Sequence, residues 1–263
     1  MRGARGITIF GGEIYIANYS RIFRYDQSFR QIGEITHSCC ADIHDLAFHD
    51  GQLWAASTRN DMLIAMNRDG RITDTVDVWD AGDIEHTFGV RRSNKVNETV
   101  CRERTTHDKL DTDLLHVNSF AFSADGDLVV SLGQIRVNGH SESALLRLGV
   151  SDGAEVIYHS PTAPVPAHNV LRLPNGRILH AQTQHGQVIE IDPRTKTHKA
   201  LISARTGYIR GLALLNEHTL AVGVQNEVWL CDIESGVILE CIVISNDARE
   251  SVHSIACLGA DAP

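Results

Sequence analysis

Residues 167–193 read AHNVLRLPNGRILHAQTQHGQVIEIDP, and their pattern decides the fold. Three short apolar runs, VLRL, RILHAQ and QVIEID, are separated by turn residues and alternate with the period of two that defines a half-buried strand. Asn175-Gly176 supplies the positive φ of a tight hairpin. The same unit recurs in ARGITIFGGEIYIANYSRIFRYD (4–26), IHDLAFHDGQLWAASTRNDMLIAMNRDG (43–70), VNSFAFSADGDLVVSLGQ (117–134) and IRGLALLNEHTLAVGVQNEVWLCDI (209–233). Fourth strands follow as RQIGEI, TDTVDVW, EVIYHS, HKALIS and VILECIVI, and helical periodicity is hard to find. Four-strand meanders repeated at about 40 residues are the signature of β-propeller blades. The expectation is an all-β chain, a single β-propeller domain over 1–263, with five complete four-stranded blades. A sixth first strand, SVHSIACL (251–258), has no second, third or fourth strand after it.

Composition narrows the function classes. With 33 acidic and 24 basic side chains the formal charge is −9, and no basic stripe suits a phosphate backbone, so no nucleic-acid partner is expected. No apolar run approaches the roughly 20 residues of a membrane-spanning helix, so a soluble, cytoplasmic protein with no membrane partner is expected. The six cysteines, with Cys39 and Cys40 adjacent and no CxxC spacing, read as idle or buried thiols. Cys231 and Cys241 fall on neighbouring strands as a reduced pair. The unpaired edge of the incomplete sixth blade is expected to find a partner, with a homodimer as the first expectation.

The segments DIHDLAFHDGQLW, LHVNSFAF, AHNVLRLPNGRILHAQTQHGQV and RGLALLNEHTLAVGV, with the tail VWLCDIESGVILECIVISNDARESVHSIACL, resemble an uncharacterised bacterial six-bladed β-propeller family, a conserved domain of unknown function. The likeness runs from about Arg5 to the end of the chain and implies the fold. It lends no reaction. The HxNS motif at His116 and the HN motif at His168 are also similar to segments of arylsulfate sulfotransferase propellers.

Aligning the six first strands puts Arg5, His44, Asn118, His168, Arg210 and His253 in register, each before a small or polar residue and an apolar run. First strands line a propeller's channel, so these side chains are expected to converge at one mouth, with His116 on the same face two residues before Asn118. The loops joining second to third strands share that mouth and bring Tyr19, Arg59, His140, His185 and Gln225. Imidazoles converging without thiolates suit a transition metal, Zn, Fe, Ni or Cu, better than Ca or Mg. The expected metal ligands are His44, His116, His168 and His253; no nucleotide cofactor is expected. Asp45 either orients an imidazole from outside or stabilises its turn. Arg5 and Arg210, with Asn118, Asn169 and Gln225, are the expected binding groups for a small anionic molecule or peptide carboxylate. Each arginine equally suits pairing with Asp42 or Asp45. The charged insertion 79–115, with Arg91, Arg92, Arg102 and Arg104, is expected to lie over the mouth as a lid. The Pro-rich crossover 159–169 is expected to hold His168 in place.

Two readings follow. One is a metal-centred propeller enzyme of lyase, hydrolase or oxygenase type acting on a small anionic substrate. The alternative is a non-catalytic ligand-binding or protein-interaction module with structural histidines.

Overall fold

A computed structural model describes residues 3–258 apart from 93–112, 124–125, 138, 150–152, 162–165, 206–207 and 248. Blade one comprises β1 (Gly6–Phe10), β2 (Glu13–Ala17), β3 (Arg21–Tyr25) and β4 (Gln31–Thr36). Blade two comprises β5 (Ile43–His49), β6 (Gln52–Ser57), β7 (Met62–Met66) and β8 (Ile72–Asp77), followed by the short helices α1 (Val78–Ala81) and α2 (Ile84–Phe88). Blade three is β9 (Val117–Phe122), β10 (Leu128–Val137), β11 (His140–Gly149) and β12 (Gly153–Ser160). Blade four is β13 (His168–Arg172), β14 (Ile178–Gln182), β15 (Gln187–Asp192) and β16 (Thr197–Ser203). Blade five is β17 (Ile209–Leu214), β18 (Thr219–Val224), β19 (Glu227–Asp232) and β20 (Ile238–Val243). Each blade is an antiparallel meander in chain order, and the chain is a β-propeller. At Asp50-Gly51, φ of +48° and +73° gives the hairpin that the sequence encodes.

The core is divided between blades. Tyr15, Ala17 and Ile22 of blade one pack with Ile43, Leu53 and Ile64 of blade two. Trp54 and Leu63 of blade two pack with Phe120, Val130 and Leu146 of blade three. Val129 and Ile157 meet Ile178 and Ile189 across blades three and four, and Leu179 and Val188 meet Leu220 and Val222 across four and five. Every sheet therefore buries its apolar face against its neighbour, the condition a blade needs to be stable.

Polar bonds between neighbouring first strands reinforce these cores. Ser119 Oγ donates to Asp45 Oδ2 at 2.5 Å, and the Val170 N–H donates to the same Ser119 Oγ at 2.9 Å. The Gly211 N–H donates to Asn169 Oδ1 at 2.8 Å. These residues each follow a member of the in-register set, so one belt joins blades two, three, four and five. Asp45 is therefore spent on the belt and on the Leu46 N–H at 2.9 Å; it orients no imidazole. Where blade one meets blade two the contact is tighter still: a Cβ on Gly6 would lie 3.1 Å from the Asp45 carbonyl carbon.

Five blades are built, not the six that the family resemblance implies. Residues 251–258 run along β17 in the place of a sixth first strand, with Val252 against Gly223 and Ser254 against Gly211. They form no ladder, and Val252 N–H to Gln225 O at 2.8 Å is their one backbone bond among those of the described residues. Between this segment and blade one lies a cleft of about 820 Å³ lined by Arg5, Ile7, Ile16, Asn226, Ile244 and His253, among others. The outer strand of blade five leaves Leu239 and Val243 largely exposed, as is Ile244 just after it.

Among the described residues the insertion is folded at both ends. Trp79, Ile84 and Leu115 are buried in the core of blades two and three. Asp61, fully buried, accepts from Trp79 Nε1 at 3.2 Å and from the Leu114 N–H at 3.0 Å. Arg92 donates to Asp77 at 2.8 Å. Residues 93–112, with Cys101, Arg102 and Arg104, lie outside the described residues, as do 162–165 of the Pro-rich crossover. Cys39 and Cys40 are buried, and Cys231, Cys241 and Cys257 are free thiols. Among the described residues no helix is long and apolar enough to cross a membrane.

Because Ser119 serves two partners, Ser119→Ala leaves the buried Asp45 carboxyl and the Val170 N–H without it. A loss of about 2–3 kcal/mol is expected, read as a lower urea midpoint at unchanged slope. A change below about 0.5 kcal/mol would show that the belt contributes nothing to the fold.

Candidate metal and anion site

The in-register side chains do meet. Arg5, His44, Asn118, His168, Arg210 and His253, with Asn169, line one cavity of about 10 Å³ at the channel mouth. That is the room of about one water-sized particle. The ring therefore has room for one ion or water, and the body of any larger ligand stays outside it. Gln225 is not among the lining residues; its N–H donates to Tyr208 O at 2.9 Å and its φ is +53°.

Three imidazoles approach closely: one ring nitrogen each from His44, His116 and His168 lie within 4.8 Å of one another. His44 and His168 stack with centroids 5.9 Å apart, and His116 meets His44 edge-on at 5.0 Å. Two of the three have their far nitrogen engaged. His116 Nδ1 donates to the Asp113 carboxylate at 2.9 Å, and His168 Nδ1 sits 2.7 Å from the Thr183 hydroxyl. His168 Nε2 is buried with no hydrogen-bond partner among the described residues. A carboxylate or hydroxyl on the outer nitrogen is the arrangement that fixes tautomer and direction in metal-bound histidine. His116 reaches the cluster from a left-handed backbone position, φ +51°, and Asp42, at the matching place two residues before His44, has φ +55°. Such conformations in non-glycine residues cost roughly 1 kcal/mol or more and concentrate at functional sites.

His253 stands apart from the triad. Its Nδ1 is 2.6 Å from Arg210 Nη1 and its Nε2 is 3.2 Å from Ser251 Oγ. Arg5 is paired: its Nη1 donates to Asp42 Oδ1 at 2.5 Å and also meets His44 Nε2. Arg210 lies over the Tyr208 ring, 5.0 Å from its centroid. Asn118 Nδ2 donates to Ala167 O, and Asn169 is the belt acceptor, so each amide also joins neighbouring blades. Of the second loop set, Arg59 donates to Tyr19 Oη at 2.6 Å. Sequence reasoning missed Asp113 and Thr183. Asp113 stands three residues before His116, and Thr183 opens a 3-10 turn, Thr183–His185, at the place where Thr58 opens Thr58–Asn60.

Burial favours the neutral form of His44, His168 and His253. Burial pushes His44 down to about 4, against the opposing pull of Asp42, and His253 also to about 4. His168 is held well below its ordinary value by burial and by the nearby Arg210. Burial lowers even the Arg210 guanidinium to about 10, which leaves it charged at neutral pH.

No known protein family matches the chain by sequence, and no curated protein matches it. Solved structures share its shape. A candidate gluconolactonase superposes with a TM-score of 0.67 at 12% identity, covering 99% of this chain and 83% of its own. A luciferin-regenerating enzyme does so at 0.64 and 15%, covering 96% and 79%. The catalytically inactive histidine-to-alanine form of virginiamycin B lyase from Staphylococcus aureus, with quinupristin, does so at 0.57 and 12%, covering 96% and 73%. At these identities the likeness establishes the propeller fold alone.

The lowered histidines make a pH prediction. Unfolded, His44 takes up a proton near 6.5; folded, it does so only near 4, so the folded protein binds fewer protons in that window. Stability is thus complete above about pH 6.5 and falls as the pH drops toward 4, by about 3 kcal/mol for His44 alone. Thermal unfolding of the wild type should lose more between pH 6.5 and 4.5 than that of His44→Gln. Parallel pH profiles for the two would contradict a buried neutral His44.

Proposed function

We propose that the mouth is a metal-centred catalytic site acting on a small anionic substrate. The observation that carries the reading is the triad His44, His116 and His168, with ligand atoms within 4.8 Å and the outer nitrogens of His116 and His168 engaged by Asp113 and Thr183. Neutral imidazoles without thiolate suit Zn, Fe, Ni or Cu. Bound there, such an ion supplies Lewis acidity or an activated water. Asp113 and Thr183 hold the imidazoles in the ligating tautomer. Arg210 draws the anionic end of the substrate toward the ring, and the cavity's size keeps its body in the adjoining cleft, which Arg5 and His253 also line. Lyase, hydrolase and oxygenase chemistry are all open to such a site. The neighbouring virginiamycin B lyase, inactive in its histidine-to-alanine form, supports histidine-dependent chemistry on this fold.

One contact favours the second reading, a ligand-binding module without catalysis: Arg5 Nη1 meets His44 Nε2, as in a structural network. Elemental analysis separates the two. Protein purified without chelator should retain about one equivalent of a transition metal, and His168→Ala should lose it while keeping its β-sheet circular dichroism. Metal-free wild type that also takes up no added Zn, Fe, Ni or Cu would overturn the metal reading in favour of the module.

A further inference from the structure

Arg210 carries a half-buried charge that no ion pair among the described residues balances. Among the described residues no carboxylate forms an ion pair with it; the carboxylate that acts on it is Asp42, which is already bonded to Arg5. Its Nη1 meets a neutral imidazole, His253, and its Nε is buried without a hydrogen-bond partner. Among the described residues Arg5 and Arg210 share one carboxylate, Asp42, which leaves a net positive charge beside the ring, and charges held away from water are paired or bind an ion. The cavity that Arg5 and Arg210 share is about 10 Å³. A carboxylate or phosphate group does not fit that space, but a single atom does.

We infer that the ring cavity is a site for a one-atom anion, of which chloride is the common representative. Arg210 supplies N–H donors and the balancing charge, and Arg5 adds a second positive edge. His168, nine-tenths buried and lining the cavity, completes it with an Nε2 that has no hydrogen-bond partner among the described residues. The Thr183 hydroxyl can donate to Nδ1 or accept from it. His168 can therefore present Nε2 as an N–H to an anion or as a lone pair to a cation. The inference does not rest on the metal reading, because His116 belongs to the triad and does not line the cavity.

The test is thermal unfolding of the full chain at pH 7.5 in sodium chloride, sodium bromide and sodium gluconate at equal ionic strength, with metal content measured on the same samples. Halides should raise Tm over gluconate by roughly 3–5 °C at a concentration about tenfold above the dissociation constant. Arg210→Met should abolish that difference and Arg210→Lys retain part of it. His116→Ala should keep it while losing any bound metal. Equal Tm in chloride and gluconate, or a halide effect that persists in Arg210→Met, overturns the inference. So does an effect that disappears with the metal in His116→Ala, since the anion would then be the metal's ligand. Should Arg210→Met not fold, crystals of the wild type in bromide decide: an anomalous peak among Arg5, His168 and Arg210 supports the site, and no peak there overturns it.

Discussion

The hydrogen bond from Ser119 to Asp45, continued by the Val170 N–H on Ser119 and the Gly211 N–H on Asn169, fixes the height of each first strand against the next. Strand register is otherwise set by apolar alternation, which tolerates a slip of two residues without changing faces. The belt removes that freedom. Asp45, Ser119, Asn169 and Gly211 each follow a ring member, so holding the belt level also holds His44, Asn118, His168 and Arg210 level. Four inter-blade apolar cores supply the bulk of the folding drive. The belt converts that drive into one arrangement of the mouth.

The arrangement concentrates opposing demands in a very small space. Burial keeps His44, His168 and His253 neutral, which favours ligation and hydrogen bonding over charge. Among the described residues the two arginines share one nearby carboxylate, Asp42. Neutral nitrogens invite a cation, and the excess guanidinium charge invites an anion. Thr183 and Asp113 settle the direction of the imidazoles from outside, and the cavity's size restricts either guest to one atom.

Much of this was legible in the sequence because propeller strands are short, regular and begin at the same height. Lining up ARGITIF, IHDLAF, VNSFAF, HNVLRL, IRGLAL and SVHSIACL was enough to put six side chains around one cavity. Three features were not legible. Asn169 and Asp45 have the chemistry of ligand or orienting groups, yet backbone N–H groups and Ser119 claim them, and only the distance between blades reveals that. His253 is in register but its segment forms no ladder, and a sequence alignment cannot distinguish a paired strand from an unpaired one. Asp113 precedes β9 within the irregular insertion, where no periodicity points to its role. The sixth blade implied by resemblance is absent among the described residues, and beside 251–258 a cleft lies where its further strands would pack.

The central claim is that neutral imidazoles from separate blades converge on one ion-sized point. Imidazole nitrogen-15 NMR at pH 7 during zinc addition tests it most directly. The account predicts that His44 and His168 begin as neutral tautomers, with His168 titrating well below its ordinary value, and that one ring nitrogen each of His44, His116 and His168 shifts together, saturating at one equivalent. If His168 instead titrates near its ordinary value, and zinc perturbs only exposed rings such as His140 and His218, the account is contradicted.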